Sequence, residues 1–423
     1  MQDVQQIRNV VILGHGNSGK TSLAEAMLFT AGSIKRLGKV DDGNASMDFE
    51  PEETKRQISI NAAFNHLTWK KHTLFLTDTP GDDNFLNETR FAAQVSDIAI
   101  FTVGAVLGVR GQTEKFVDII EQHKPPCLLC ITKMDRERAN FQKTLTAIRD
   151  NFSFTPVVLY LPIGAENDFK GVVDIVANKA LLFKENGTTE ETAVPAELQD
   201  EVQSLRESLM EHVAETDDLL IEKFLEEGEL TDEDLQQGLK KAVRAAQIVP
   251  VCACATLTNS GSSIILDALV RFFPSPAEVA ARVGFNPKDK ASVEREGNVD
   301  APFSAQVFKT MADPFAGRLT IFRIFSGVLK GDSFYNATKD VQERFGQLFL
   351  LAGKEQKPVD EAIPGMVVAV AKLKETTTGD TLCDENSPIV YPALEPLPTV
   401  IAYAVSAKKG DEEKLFSSIT RLL

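Results

Sequence analysis

The amino-acid sequence predicts an α/β domain with an inserted α/β subdomain, then an antiparallel β-barrel domain, and finally the start of a small α+β domain. Three observations support this. The first 160 residues alternate short apolar runs with amphipathic stretches, residues 164–247 are acidic and mostly helical by pattern, and short strands follow residue 300. Alternating strands and helices favour a parallel sheet covered on both faces, whereas many short strands separated by turns favour a barrel. A chain of 423 residues is long enough for two or three such domains.

The parallel sheet is predicted from brief apolar runs that are rich in β-branched residues. These are Val10–Leu13, Leu74–Thr77, Ile98–Val103, Leu128–Thr132, Val157–Tyr160 and Ile248–Ala253. Helical periodicity predicts three of the helices that cover the sheet, at Thr113–Gln122, Phe141–Asp150 and Ser262–Phe273. Pro274 and Pro276 end the last helix, because proline lacks the amide that a helix interior needs. We therefore expect the first domain to cover residues 1–280.

The remaining elements define the other domains. The insertion at residues 164–247 has one long helical pattern, Leu198–Phe224, and residues 281–300 are expected to be a polar linker. The barrel, residues 301–395, is predicted from strand patterns at Phe303–Lys309, Leu319–Leu329, Ser333–Tyr335 and Met366–Leu373. Residues 396–423 carry a predicted strand, Val400–Val405, and a predicted helix, Asp411–Leu423. Because so short a piece cannot bury its own core, we expect it to be the beginning of a truncated third domain.

Composition excludes several classes of protein. With 43% hydrophobic and 25% charged residues, the chain is neither disordered, nor collagenous, nor a coiled coil. Five cysteines cannot form a disulfide framework and suit reduced thiols. Cys127-x-x-Cys130 suggests a zinc or redox pair, but both cysteines lie in a predicted apolar strand, so core packing is the alternative that we favour. The N-terminus lacks a signal peptide and no apolar run could span a bilayer, so we expect a cytoplasmic protein without a membrane partner.

The net charge of −16 is concentrated in the insertion. Residues 185–235 contain 18 Asp and Glu against only Arg206 and Lys223, so the rest of the chain is balanced. Solvated helical faces and a binding surface both explain such a run. The acidity argues against nucleic-acid contact by this subdomain alone, because phosphate binding needs Lys and Arg.

A phosphate-binding loop follows the first predicted strand and opens a helix. The pattern G-x-x-x-x-G-K-[ST] is met by Gly14, His15, Gly16, Asn17, Ser18, Gly19, Lys20 and Thr21. Glycines let backbone amides surround phosphates, the lysine reaches the β- and γ-phosphates, and the threonine hydroxyl suits Mg²⁺. The alternative, a chance glycine-rich loop, is disfavoured by the strand before the motif and the helix after it.

Two further motifs end predicted strands. Asp78-Thr79-Pro80-Gly81 provides a carboxylate opposite the Thr21 hydroxyl, where an acidic residue would hold Mg²⁺. Thr132-Lys133-Met134-Asp135 provides a carboxylate that could accept two hydrogen bonds from guanine, which adenine cannot donate, and Lys133 could lay its aliphatic stem along the base.

Together these motifs resemble the N-terminal part of elongation factor G, the translocase of the ribosome, and its paralogues. The matching stretches are collinear between residues 8 and 420: Asp41–Asp48, Lys133–Phe141, Ile163–Glu166, Gly171–Asp174, Asp313–Phe325 and Thr377–Asp384. The resemblance implies a P-loop GTPase domain that binds GTP, GDP and Mg²⁺. It also implies the ribosome as partner, through RNA and the stalk protein that faces the insertion. We further expect a monomer that binds no DNA.

The sequence departs from the family pattern in informative places. Asn17 replaces an aspartate, and the first switch ends in Arg56-Gln57-Ile58-Ser59, which keeps a hydroxyl for the metal. Asp82 replaces the histidine that positions the attacking water, and Thr132 replaces the asparagine of N-K-x-D. Ala255-Thr256 aligns with the turn whose backbone meets guanine. The resemblance therefore implies Thr21, Ser59 and Asp78 as metal ligands, and Lys20 and Asp82 as catalytic residues.

The resemblance implies a GTP-hydrolysing translation factor whose two switches, about residues 43–59 and 78–87, respond to the γ-phosphate. Hydrolysis is expected to be slow if the Asp82 charge opposes the γ-phosphate, and normal if ribosomal groups dominate stimulation. Two alternatives remain: a ribosome recycling or protection GTPase, and a GTP/GDP-binding regulator that hydrolyses weakly or not at all.

Overall fold

A computed structural model describes residues 3–184, 187–313, 317–399 and 401–422 of the chain. Its first domain contains a seven-stranded sheet whose order is β2-β3-β1-β4-β5-β11-β6, in which only β2 runs antiparallel to its neighbour. The strands are β1 (Ile7–Leu13), β2 (Ala63–Trp69), β3 (His72–Asp78), β4 (Ile98–Gly104), β5 (Cys127–Thr132), β6 (Pro156–Val158) and, after the insertion, β11 (Val249–Ala253). Five helices lie between strands: α1 (Lys20–Thr30), α2 (Pro51–Arg56), α3 (Leu86–Val95), α4 (Gly111–His123) and α5 (Phe141–Asn151).

The predicted α/β fold is confirmed, with two differences in the sheet. The run Val157–Tyr160 is not one strand: β6 ends at Val158, and Tyr160 begins a second strand that pairs within the insertion. Because the apolar run is continuous, the sequence does not mark the residue at which the chain leaves one sheet and pairs with strands of another. The edge strand β2 was not predicted, because Asn65, His66 and Thr68 dilute its apolar pattern.

The insertion combines a sheet with helices. Its strands are β7 (Tyr160–Ile163), β8 (Gly171–Asp174), β9 (Lys179–Phe183) and β10 (Thr189–Thr192), which form an antiparallel sheet in the order β10-β9-β8-β7. Its helices are α6 (Gln199–Ala214), α7 (Asp218–Glu227) and α8 (Asp232–Arg244), and α9 (Ser262–Phe272) then follows β11. The helical pattern over Leu198–Phe224 divides into two helices, because Asp217 separates α6 from α7 and caps α7 by accepting a hydrogen bond from the Leu219 amide, 3.0 Å away.

The second domain is antiparallel, as predicted. The polar segment before it is not a plain linker, because it contains a hairpin of β12 (Arg282–Phe285) and β13 (Ser292–Arg295). Eight strands form one sheet in the order β18-β17-β23-β14-β15-β22-β19-β20, and β16 pairs with β21. These ten strands are β14 (Ser304–Asp313), β15 (Gly317–Ser326), β16 (Leu329–Lys330), β17 (Ser333–Asn336), β18 (Val341–Arg344), β19 (Leu348–Ala352), β20 (Glu355–Val359), β21 (Glu361–Ala362), β22 (Val367–Ala371) and β23 (Thr381–Cys383).

The two domains share apolar surface. The buried cluster of the second domain continues into Ile7, Phe64 and Phe75 of the first. Phe64 meets Phe308 edge to face, with ring centroids 5.6 Å apart. The second domain therefore packs directly on β1, β2 and β3, close to the segments that flank the motifs.

The remaining predictions have mixed outcomes. Residues 401–405 do not form the predicted strand, and Val400 lies outside the described residues, but helix α10 (Glu412–Leu422) is present. All five cysteines are buried and unpaired. Within the described ranges no three His, Cys, Asp or Glu side chains lie where they could hold a metal ion together. Among the same residues, no helix combines the length and the apolar character needed to cross a membrane.

Candidate functional site

The predicted motifs meet at the carboxyl-terminal edge of the parallel sheet. Four parallel strands, β1, β3, β5 and β11, end there, so the loops that follow them converge. These loops line a cavity of about 340 Å³. Convergence of this kind is the usual position of a ligand in an open α/β sheet.

Most of the predicted site residues line this cavity. They are Gly16, Asn17, Gly19, Lys20, Thr21, Ser59, Gly81, Asp82, Lys133, Asp135 and Thr256. Six predicted residues are not among those that line it: Gly14, His15, Ser18, Asp78, Thr132 and Ala255. The sequence reasoning assigned no site role to several lining residues: Ser22, Val40, Asp41, Asp48, Gln57, Ile58, Arg110, Gln112, Arg136 and Leu257.

The loop after β1 has the backbone that a phosphate cradle needs. Gly14 has a φ of 146°, and a Cβ there would lie 2.5 Å from the Thr102 hydroxyl oxygen, so only glycine fits. The Lys20 ammonium donates to the His15 carbonyl oxygen at 3.1 Å, at the start of α1. Burial lowers the pKa of Lys20 to about 8, against the attraction of the Asp78 carboxylate. A buried cation whose ammonium contacts a backbone carbonyl oxygen suits an anionic ligand.

The residues expected to hold a metal are adjacent. The Thr21 hydroxyl donates to one Asp78 carboxylate oxygen at 2.6 Å and lies 3.2 Å from the Ser59 hydroxyl. The other Asp78 carboxylate oxygen, Oδ1, is buried and has no hydrogen-bond partner. Burial, reinforced by the Asp48 carboxylate, raises the pKa of Asp78 to about 7. Hydroxyl and carboxylate oxygens with one unsatisfied acceptor fit a hard cation such as Mg²⁺, which needs few protein ligands when phosphates supply the rest.

Asp48, in the first switch, lies next to the expected metal ligands. Its carboxylate accepts a hydrogen bond from the Ser59 hydroxyl at 2.8 Å, and burial raises its pKa to about 6. Eleven residues separate Asp48 from Ser59. The aspartate lies within the matched stretch Asp41–Asp48, which was the only sequence signal that could have identified it.

The first switch is held against α1 by one buried carboxylate. Glu25 accepts hydrogen bonds from the Ser46 amide at 2.7 Å and the Met47 amide at 3.0 Å, and it also bonds the Ser46 hydroxyl. Glu53 of α2 then accepts from the Ile60 amide at 2.9 Å and the Asn61 amide at 3.0 Å. These contacts position Ser59, and a local motif would not have revealed them.

Asp82 lies at the phosphate end of the cavity and caps a short turn. Its carboxylate accepts from the Asn84 amide at 2.9 Å and from the Asn84 side chain at 2.7 Å. Lys115 of α4 forms an ion pair with Asp83 at 2.6 Å, so the start of α4 lies alongside this turn. Arg110, directly before α4, also lines the cavity and adds a cation to its lining.

The base end differs from expectation at Thr132. The Thr132 side chain is fully buried and its hydroxyl donates to the Ser18 carbonyl oxygen, so it ties β5 to the phosphate loop rather than facing the cavity. Lys133, Asp135 and Thr256 face the cavity. The Met134 amide donates to the Cys254 carbonyl oxygen at 3.2 Å, which holds the turns after β5 and β11 together.

Gly81 is packed too closely for any side chain, and this leads to a prediction. A Cβ on Gly81 would lie 2.4 Å from the Lys20 ammonium and 2.6 Å from the Gly16 amide nitrogen. We expect Gly81→Ala to weaken nucleotide affinity about 5- to 150-fold, because relieving such a clash costs about 1–3 kcal/mol. Equilibrium titration with a fluorescent GTP analogue measures this. The matched control is Gly346→Ala, where the added Cβ meets open space; equal affinities for both variants would contradict the prediction.

Comparison with known proteins agrees with this geometry. Residues 5–275 match the model of the elongation factor Tu GTP binding domain, and residues 302–385 match elongation factor G domain 2. A solved structure from Thermus thermophilus is 30% identical, with a TM-score of 0.86 over 99% of this chain. The chain spans 61% of the length of that protein. The chain belongs to the elongation factor G family of translational GTPases.

Proposed function

We propose that this protein binds and hydrolyses GTP on the ribosome, as a GTP-gated switch in translocation or a paralogous step. One observation carries the proposal: the phosphate loop, both switch segments and the base-binding turns line a single cavity of about 340 Å³. A nucleotide that fills this cavity would contact the phosphate loop, both switch segments and the base-binding turns. Its γ-phosphate would therefore bias the conformations of both switches at once.

Each part of the cavity has a proposed role. The phosphate loop and Lys20 would bind the phosphates, and Asp135 would select guanine, with the Lys133 stem along the base and the Thr256 turn beside it. Thr21, Ser59 and Asp78 would hold Mg²⁺, which supplies charge for phosphoryl transfer when bound. Asn17 stands where the family carries an aspartate, so that position of the loop is neutral in this chain.

The proposal extends to partners and location. We propose a monomeric cytoplasmic protein whose first and second domains contact ribosomal RNA. The insertion, whose helix α7 exposes Leu219 and Leu225 among acidic residues, would face the stalk protein. Acidic side chains around apolar ones suit a protein partner better than a phosphate backbone.

The test is phosphate release from labelled GTP, with and without purified ribosomes, using the full-length protein. Ribosome-stimulated release supports the proposed enzyme. Unchanged basal turnover with tight guanine-nucleotide binding would instead support the regulator that hydrolyses weakly or not at all, an alternative that the anionic Asp82 favours. Competition by GDP but not by ADP in the same binding assay checks the guanine selection assigned to Asp135.

Asp82 provides a prediction about rate. We expect Asp82→His to raise ribosome-stimulated hydrolysis about tenfold or more, because a neutral imidazole can position water without opposing the γ-phosphate charge. Asp82→Asn is the matched control, since it removes the charge without adding a base, and its rate should fall between the two. The measurement is the single-turnover rate of GTP hydrolysis on ribosomes for the wild type and both variants. An Asp82→His variant no faster than the wild type would contradict the proposed effect of the charge.

A further inference from the structure

A lysine of the second domain is buried between the two segments that adjoin the switches. The Lys309 side chain is only 4% exposed. Its ammonium donates to the Asn61 side-chain oxygen at 2.9 Å and forms an ion pair with Glu88. The register of β14 against β15 shifts directly before Lys309, and irregularities of this kind redirect a side chain out of a sheet. We call Lys309, Glu88 and Asn61 the interdomain clasp.

The clasp joins both switches through short connections. Asn61 follows Ser59 by two residues, and Glu88 lies in the first turn of α3, six residues after Asp82. The carboxylate oxygen of Glu88 that pairs with Lys309 also accepts from the Ala62 amide at 2.9 Å. The next residue of α3, Thr89, donates its hydroxyl to the Pro80 carbonyl oxygen at 2.9 Å. The Lys309 ammonium of the second domain therefore holds the segment after the first switch to the start of α3, the helix that follows the second switch.

The positions of the two switch segments should affect how tightly the cavity binds a nucleoside triphosphate. Ser59 lies 3.2 Å from Thr21, and Gly81 lies against Lys20, so both switch segments border the part of the cavity that the phosphate loop lines. A ligand shifts an equilibrium only by its difference in affinity for the two states. A γ-phosphate would contact the ordered switches, whereas a diphosphate ends before them. Contacts that order the switches beforehand should therefore favour the triphosphate.

We propose that Lys309 is a positioning residue through which the second domain raises the preference of the first domain for GTP over GDP. The inference rests on the guanine-nucleotide function proposed above. Lys309 does not line the nucleotide cavity, and it acts by holding Asn61 and Glu88 together. The rival explanation is simple adhesion between the domains, which would affect stability but not the preference between nucleotides.

The test is the ratio of the dissociation constants for GDP and for a non-hydrolysable GTP analogue, with Mg²⁺ present. Lys309→Met and Glu88→Gln should each lower the preference for the GTP analogue about tenfold, within the usual range of coupling between sites. Glu88→Gln retains an acceptor for the Ala62 amide, and so it tests the charge even if Lys309→Met folds poorly. The double variant should lose no more than the worse single variant, because both changes break one interaction.

The matched control is Lys330→Met, which removes an exposed lysine of the second domain whose ion pair with Glu361 is 3.7 Å long. Its nucleotide preference should equal that of the wild type. If Lys309→Met and Glu88→Gln weaken both nucleotides equally, or lower only the unfolding midpoint, the positioning role is wrong and adhesion explains the contact. A wild-type chain that binds no guanine nucleotide would contradict the proposed function itself and this inference with it, whereas normal binding with unchanged ratios contradicts this inference alone.

Discussion

Replacing Lys20 by methionine is expected to weaken binding of GTP and GDP at least about a hundredfold, a loss of about 2.7 kcal/mol. The Lys20 side chain is 5% exposed, and its ammonium contacts the carbonyl oxygen of His15 within the phosphate loop. Burial lowers its pKa to about 8, which indicates that the unliganded site stabilises this charge poorly. Phosphate oxygens would supply the missing counter-charge, and hydrogen bonds to charged groups contribute about 1.5–3 kcal/mol each.

Methionine is one heavy atom shorter than lysine and lacks its charge and its hydrogen-bond donors, but its unbranched apolar chain fills most of the same space, so the phosphate loop should retain its shape. Displacement of a fluorescent GDP measures the affinity, and the melting temperature checks that the fold is intact. Lys143→Met, an exposed position on α5, serves as the control and should bind like the wild type. Binding by Lys20→Met within threefold of the wild type would mean that Lys20 does not contact the phosphates.

Replacing Asp97 by alanine is expected to lower the free energy of unfolding by about 3–5 kcal/mol. Asp97 is fully buried between the two domains, where it pairs with Arg323 and lies 3.5 Å from an Arg282 nitrogen. Arg323 is also buried and donates to the Val95 carbonyl oxygen. Both guanidinium groups pack against the Phe325 ring, with their carbon atoms 4.8 and 5.1 Å from its centroid. Without Asp97 their charge lacks a buried counter-ion.

Urea unfolding followed by the fluorescence of Trp69, the single tryptophan, reports on this change from the first domain. Glu361→Ala is the control, because its ion pair with Lys330 is long and largely exposed and should contribute at most about 1 kcal/mol. Asp97→Asn keeps hydrogen-bonding capacity without the charge, so its free energy of unfolding should lie between those of Asp97→Ala and Glu361→Ala. Equal unfolding curves for Asp97→Ala and Glu361→Ala would show that the buried charge cluster does not stabilise the contact between domains.

The motif-bearing loops could be predicted from the sequence because each is contiguous. The segment from Gly14 to Thr21 carries its own backbone requirements, and Asp78 and Asp135 each follow an apolar strand by no more than a few residues. Since the carboxyl ends of parallel strands meet at one edge, the predicted parallel sheet was enough to expect these residues close together. The antiparallel second domain could be predicted for a different reason, because its short strand patterns are separated by turns that contain glycine and proline.

Predictions failed where one apolar or helical pattern extended over two separate elements, or where polar residues interrupted the apolar pattern of a strand. The run Val157–Tyr160 divides between two sheets, and Leu198–Phe224 divides into α6 and α7 at Asp217. Strand β2 and the hairpin of β12 and β13 carry too few apolar residues to be distinguished from loops. In each case the local signal was compatible with several structures, and pairing with distant strands selected one.

The sequence by itself determined the fold class and the chemical types of the phosphate loop, the Asp78 turn and the base-binding turn, because those features depend on neighbouring residues. Only the tertiary structure decided that Thr132 turns away from the cavity, that Asp48 and Glu25 organise the first switch, and that Lys309 reaches Glu88 across 221 residues. The contacts of Thr132, Asp48 and Glu25 depend on how the segments of the first domain fold together, and the contact of Lys309 depends on how the two domains pack. No local pattern encodes either arrangement.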